Sequence, residues 1–237
     1  MMADRTRVLA AAAALACLAL PLAGCGGSDP AKTPAKATPP AAALAKAKAN
    51  FDHASSVHLT LSTDSKPTSG DAVLGADGTL THQPAFDGKV KVLLSGFNAE
   101  VPIVAVGGKV YAKLPLTPTY AEINPAEYSS PDPAQFADTS KGISGLLLKM
   151  DGLKSDGTKR EGKQVLTRYA GTLKGSYVAP IIPSAKPGGS YVTVVGVDGH
   201  DQITTLEVTG EFFAGGGDET YDLTFDDYGK NVKISAP

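Results

Sequence analysis

A single thiol carries the most specific chemistry in this chain of 237 residues. Cys25 closes the run Leu22-Ala23-Gly24-Cys25, in which small residues lead up to a cysteine, the pattern of a lipobox. At such a site the thiol takes a diacylglyceryl group, and cleavage leaves the acylated cysteine as residue one. The upstream residues agree. Arg5 and Arg7 form a short basic region, and Val8 to Leu20 is an almost unbroken apolar run. That run is shorter than the roughly 20 residues that span a bilayer. Residues 1–24 therefore read as an export signal removed on maturation. The alternative is an ordinary signal peptide with an incidental cysteine. Two or more acyl chains anchor firmly where one binds reversibly. Lipidation at Cys25 thus predicts a protein tethered to the extracytoplasmic face of the cytoplasmic membrane.

Other chemistry is hard to assemble from this sequence. His53, His58, His82 and His200 are scattered, without the spacing of a metal-binding helix. No Gly-x-Ser-x-Gly elbow, Ser-x-x-Lys motif, phosphate loop or dinucleotide fingerprint occurs. Asp218, Glu219, Asp222, Asp226 and Asp227 match no calcium loop, and strand alternation accounts for them as a solvated face. Catalysis, a metal and a cofactor are accordingly not expected. Cys17 leaves with the signal, so the mature fold has no disulfide. A net charge of −2 without a basic block argues against nucleic acid as a partner. There is no tryptophan, so any apolar cavity must be lined by aliphatic residues, Phe and Tyr.

These residues must be placed by elements, and the pattern names most of them. Residues 26–41 hold Gly, Pro, Ala, Lys and Thr with no large apolar side chain, too little to repay ordering. With Cys25 they read as a disordered tether; if polyproline-like at ~3.1 Å per residue, it reaches roughly 50 Å. Residues 42–237 form the folded domain. Leu44, Ala47, Phe51 and Ala54 recur at helical spacing, with Lys46, Asn50 and His53 opposite. Alternation then predicts a strand at 58–63, and Asp77-Gly78 reads as a turn. In 89–94, Val90, Val92 and Leu94 share one face and both lysines the other. In 98–106, Ala99, Val101, Ile103 and Ala105 do the same. Gly107-Gly108 turns the chain into 109–114.

The Pro-rich segment 115–133 excludes central strands. Ile143, Leu146, Leu147 and Met150 then form an i, i+3, i+4, i+7 stripe, predicting a short helix. Strands follow at 164–173, 191–197, 202–213, 220–226 and 232–234, with turns at Asp198-Gly199, 215–217 and 228–231. Leu206, Val208 and Phe212 share a face, as do Tyr221, Leu223 and Phe225, with polar residues opposite. One side of this sheet should be wet and one covered. Periodicity alone leaves two readings of the apolar faces open, ordinary core and ligand pocket.

From Leu44 to Ile234 the chain resembles the actinobacterial LppX/LprAFG lipoprotein family. The resemblance rests on Gly108 to Leu114, Asn124-Pro125-Ala126-Glu127-Tyr128, Asp132-Pro133-Ala134-Gln135-Phe136 and Gly142 to Leu147. Glu161-Gly162-Lys163 and Arg168-Tyr169-Ala170-Gly171 sit where the family has a strand pair. Tyr120 departs from it, standing where relatives often have Trp. The resemblance implies an α+β fold similar to the LolA/LolB carriers. Its curved antiparallel half-barrel sheet has helices covering the concave face and enclosing an apolar cavity. Val90, Val92, Leu94, Val101, Ile103 and Ala105 then line one wall, and Ile143, Leu146, Leu147 and Met150 the opposite one. The implied partners are multi-acylated lipids and glycolipids of the phosphatidylinositol mannoside, lipoarabinomannan or triacylglycerol type. A major-facilitator transporter is a further implied partner, and the protein is expected to be a monomer. A second reading is a solidly packed scaffolding lipoprotein that docks a transporter or envelope enzyme.

Overall fold

The computed structural model describes residues 38–237 apart from 66, 68–70, 95 and 129. The export signal, Cys25 and the tether up to residue 37 lie outside the described residues. Pro40 and Ala41, expected as the end of the tether, are already the first turn of helix α1 (Pro40–His53). Proline at that position loses nothing, because its missing N–H has no intrahelical partner. The helix buries Ala43, Leu44, Ala47 and Phe51 and ends where Ala54 turns extended.

Among the described residues eleven strands form one antiparallel sheet. In chain order they are β1 (Ser56–Ser62), β2 (Ala72–Thr81), β3 (Ala85–Leu94), β4 (Phe97–Val106), β5 (Lys109–Ala112) and β6 (Ala121–Ile123). After α2 (Ile143–Leu146) come β7 (Asp151–Glu161) and β8 (Gln164–Lys174). Then follow α3 (Gly175–Val178), β9 (Ser190–Val197), β10 (Ile203–Gly210) and β11 (Glu219–Asp226). The spatial order is β6-β5-β4-β3-β2-β1-β11-β10-β9-β8-β7. The first six strands meander outward from the centre and the last five return to it from the far edge. Pairing of β1 with β11 joins the two halves. The sheet is open, with β6 and β7 as its edges.

This topology dictates how the inner face is covered. The chain leaves β6 at one edge and re-enters at β7 on the other, a flat span of roughly 50 Å at ~4.8 Å per strand. Residues 124–150 make the crossing. They carry two 3₁₀ turns, Pro125–Tyr128 and Pro133–Ala137, and the single turn of α2. Buried Ala134, Ala137, Ile143, Leu146 and Leu147 show that the crossing packs onto the apolar face. Helices are few, and most of the crossing is turn.

Two strand readings are corrected, and one edge strand carries no pattern to read. Asp77-Gly78 is not a turn but lies inside β2, where Gly78 pairs with Gly88 of β3. A Cβ at Gly78 would come within 2.6 Å of the Phe86 ring, so the glycines make room for an aromatic laid across them. β7 lacks an apolar face and is almost wholly exposed. Its polar composition, register breaks and glycines at positive φ (Gly152 and Gly157) suit an edge that must not pair further. Residues 232–234 form no strand, because both sides of β1 are already taken by β2 and β11.

Candidate functional site

The inner face of β2 to β5 does not pack shut. It leaves a half-open cavity of about 440 Å3 between the sheet and the 124–136 crossing. The sheet wall is built by alternation: Val90, Val92 and Leu94 from β3, Val101 and Ile103 from β4, Val110 and Ala112 from β5. Leu61, Val73 and Ala76 close the side toward the sheet centre. The register sets Val90 against Val101 and Gly88 against Ile103, which fixes all of these on one surface.

The opposite wall comes from the crossing. Pro125, Tyr128, Pro131, Pro133 and Phe136 line it, joined by Ile181, Pro183 and Ser184 from the segment after α3, while Ile123 of β6 extends the sheet wall beside Val110. Asp132 aims this wall. Its Oδ1 accepts the Ala134 N–H at 2.9 Å, capping a turn that opens on Pro133 and carries Phe136.

The residues expected at the site divide into two groups. Val90, Val92, Leu94, Val101 and Ile103 lie together on the cavity wall. Ala105 shares their face but sits one pair deeper, fully buried in the core. Ile143, Leu146 and Leu147 are not among the lining residues; they are buried core, and Met150 is half-buried against it. The reason is local. The helix stops after one turn, and α2 is docked on α1 instead. Ser144 Oγ donates to Asp52 Oδ1 at 2.6 Å, while Lys48 reaches Asp52, Ser144 and the Thr139 carbonyl. Cys25 lies outside the described residues. The crossing residues escaped prediction because proline-rich turns have no period.

Polar chemistry at the site is sparse. The Tyr221 hydroxyl donates to the Val73 carbonyl at 2.6 Å and lies 3.4 Å from Ser184 Oγ. Burial holds its pKa above the ordinary 10.0, so it remains a neutral donor. Asp71, Glu127 and Ser130 are the other polar lining residues. Among the described residues no three His, Cys, Asp or Glu side chains group to hold a metal. The acidic run of β11 disperses by alternation. Glu219 turns inward and accepts the Phe212 N–H at 2.9 Å, whereas Asp226 faces out to His58. Such a site can bind apolar ligand by burial.

The family model for the LppX_LprAFG lipoprotein matches residues 39–234. The chain belongs to this family. The LppX_LprAFG domain thus begins at the first described residues and ends beyond β11. Relatives match over nearly the full length. The "Lipoarabinomannan carrier protein LprG" of Mycobacteroides abscessus is 26% identical over 241 residues, covering 98% of this chain and 99% of that protein. A protein of the same name from Mycobacterium tuberculosis is 26% identical, covering 98% and 95%. Among solved structures, LprF from Mycobacterium bovis superposes with a TM-score of 0.70 at 17% identity, covering 85% of this chain and 99% of LprF. LppX from Mycobacterium tuberculosis gives 0.60 at 19%, covering 83% and 98%. The LppX_LprAFG fold is shared while most side chains differ.

Proposed function

We propose that this lipoprotein binds the acyl chains of a lipid or glycolipid in its cavity and carries the molecule across the cell envelope, acting as a monomer. The carrying observation is the cavity itself: about 440 Å3 of space on the inner face, walled by aliphatic, proline and phenylalanine side chains. That volume lies within the ~300–1,000 Å3 of small-molecule sites. The names of the LprG relatives, lipoarabinomannan carriers, support an acylated glycolipid as cargo. On this reading the sheet curls as a half-barrel around the acyl chains, roofed by the crossing, and the sugar head group stays at the mouth. Cys25 holds the protein to the extracytoplasmic face of the cytoplasmic membrane. Burial is an adequate driving force. At about 25 cal/mol per Å2, ~400 Å2 of buried chain supplies roughly 10 kcal/mol before association costs. A packed scaffold has no use for such a void, because unfilled apolar space costs stability.

The test is native mass spectrometry of protein purified from an actinobacterial host. Non-covalent adducts whose lipid extract contains acylated species are expected. Bare polypeptide in every preparation, with no acyl probe taken up on titration, overturns the proposal.

A further inference from the structure

The sheet wall of the cavity grades from sealed to open along its strands. At the deep end the Phe86–Ala105 pair and Val110 are buried. In the middle, Val90 and Val92 are half-buried. At the far end Leu94 pairs with Phe97 across the β3–β4 hairpin, and Phe97 is 78% exposed. Alternation puts Phe97 on the same face as Ala99 and Val101, so the apolar wall runs past the cavity and ends in solvent.

A second exposed apolar residue stands at the same end. The Lys113 N–H bonds to the Pro102 carbonyl at 2.9 Å, continuing β5 alongside β4 in the direction of Phe97. The chain then turns through Leu114-Pro115-Leu116-Thr117, closed by the Thr117 N–H on the Leu114 carbonyl at 3.1 Å. Leu116 is fully exposed at φ +68°, a position where glycine or asparagine is the unstrained choice. Neither burial nor backbone comfort explains a leucine there. Lys113 precedes this turn, and the carboxylates of Asp71 and Glu127 line the cavity.

Resting on the carrier reading, we propose that Phe97 and Leu116 form a membrane-inserting lip that seats the cavity mouth on a lipid bilayer. Acylated lipid is too apolar to cross open water, so a mouth that exchanges it must meet the surface that holds it. The continuous strip from Val101 through Ala99 to Phe97 keeps an emerging acyl chain in apolar contact throughout. The tether expected between Cys25 and α1 reaches roughly 50 Å, which keeps the lip within range of the bilayer.

The absence of tryptophan makes the test direct. Leu116→Trp is introduced into the full mature chain carrying Cys25→Ala, so that no anchor contributes. Vesicles of phosphatidylethanolamine and phosphatidylglycerol should shift its emission to shorter wavelength, and brominated acyl chains should quench it. Val192→Trp, on the exposed outer face, should respond to neither. Phe97→Ser and Leu116→Ser should each weaken vesicle flotation roughly tenfold or more, with melting temperature unchanged. An unmoved Leu116→Trp emission, or serine variants that float like the parent, overturns the lip. So does self-association abolished by the serine changes without a vesicle response, which would assign the surface to a second copy. Uptake of a fluorescent acyl probe from dilute solution, on the same preparations, separates the two failures. Normal uptake with no vesicle response sinks only the lip, whereas absent uptake sinks the carrier reading and leaves the vesicle response to decide the lip.

Discussion

Tyr221 of β11 donates its hydroxyl hydrogen to the carbonyl of Val73 in β2 at 2.6 Å, bridging two strands that β1 separates. Val73 sits where the β2–β3 register shifts before Gly75, at an irregularity of the ladder. The same residues border the cavity: Val73 lines it, and Tyr221 stands beside lining Ser184. One hydrogen bond thus holds the cavity rim to the centre of the sheet.

Tyr221→Phe should cost about 1–2 kcal/mol, because it strands a half-buried carbonyl rather than removing a matched pair. The hydroxyl pKa is also raised, by burial first and by the nearby Glu219 charge, against a hydrogen bond to Ser184. The unfolded chain therefore ionises first, and stability present below pH 10.0 falls as pH rises through the folded value. Denaturant melts at neutral and alkaline pH should show the variant weaker at neutral pH but with a shallower alkaline decline. An equal alkaline slope in both proteins would refute the linkage.

The glycine pair under Phe86 predicts an asymmetric pattern of losses. A Cβ at Gly88 would sit 2.3 Å from the Asp77 carbonyl oxygen and 2.8 Å from the Phe86 ring. Gly88→Ala should cost about 1–3 kcal/mol by overpacking. Phe86→Leu should not rescue it, since the nearer obstacle is backbone. Phe86→Ala alone should cost about 3–5 kcal/mol. A full rescue in the double variant, read by urea denaturation, would show that the strand pair opens more easily than described.

Two histidines give opposite pH signs. Burial disfavours charge on His58, but hydrogen bonds to Asp226 at 2.8 Å and Asp77 at 3.4 Å outweigh it and raise its pKa above 6.5. Its contribution is present below pH 6.5 and lost as pH rises through the folded value. His82 is lowered by burial, which outweighs a raising hydrogen bond to the Ala54 backbone, and its ring stands edge-on to Phe51 at 5.4 Å. It must stay neutral, so its cost appears as pH falls below 6.5. His58→Asn should steepen the acid-side loss of stability between about pH 5 and 8, and His82→Leu should flatten it. Melting curves across that range check the signs, and the same slope change in both variants would contradict the assignment.

Val90→Trp separates a cavity from a packed core. With about 440 Å3 free beside it, the larger ring should be accommodated with little change in melting temperature while acyl-probe uptake falls. If the space were filled in solution, the same change should cost ~1–3 kcal/mol. Thermal unfolding and probe binding on one preparation decide between them.

Cys25→Ala tests the anchor. The protein should move from the membrane fraction to the soluble exported fraction, and metabolic labelling with an alkyne fatty acid should vanish. Continued labelling of the variant would place the acyl group elsewhere.

By itself, the sequence determined whatever depends on short-range order. Three- and four-residue spacing of Leu44, Ala47 and Phe51 sufficed for α1, and alternation around Val90 and Val101 assigned both strands their faces. Gly107-Gly108 and Asp198-Gly199 marked real turns, because a turn's demands are met by the residues in it. Asp77-Gly78 carried the same signal and failed. The ring of Phe86, eight residues on, needed that space, and only strand pairing brings the two together. Val232 to Ile234 alternated well enough, yet β1, beside which the chain ends, is already paired on both sides by β2 and β11. The cavity itself was decided only by the tertiary structure. Periodicity says which way Val90 points but not how far away the next surface lies. That distance is set by how residues 124–150 cross from one sheet edge to the other, with Phe136 and Pro131 reaching the gap and Leu146 anchored on α1 outside it.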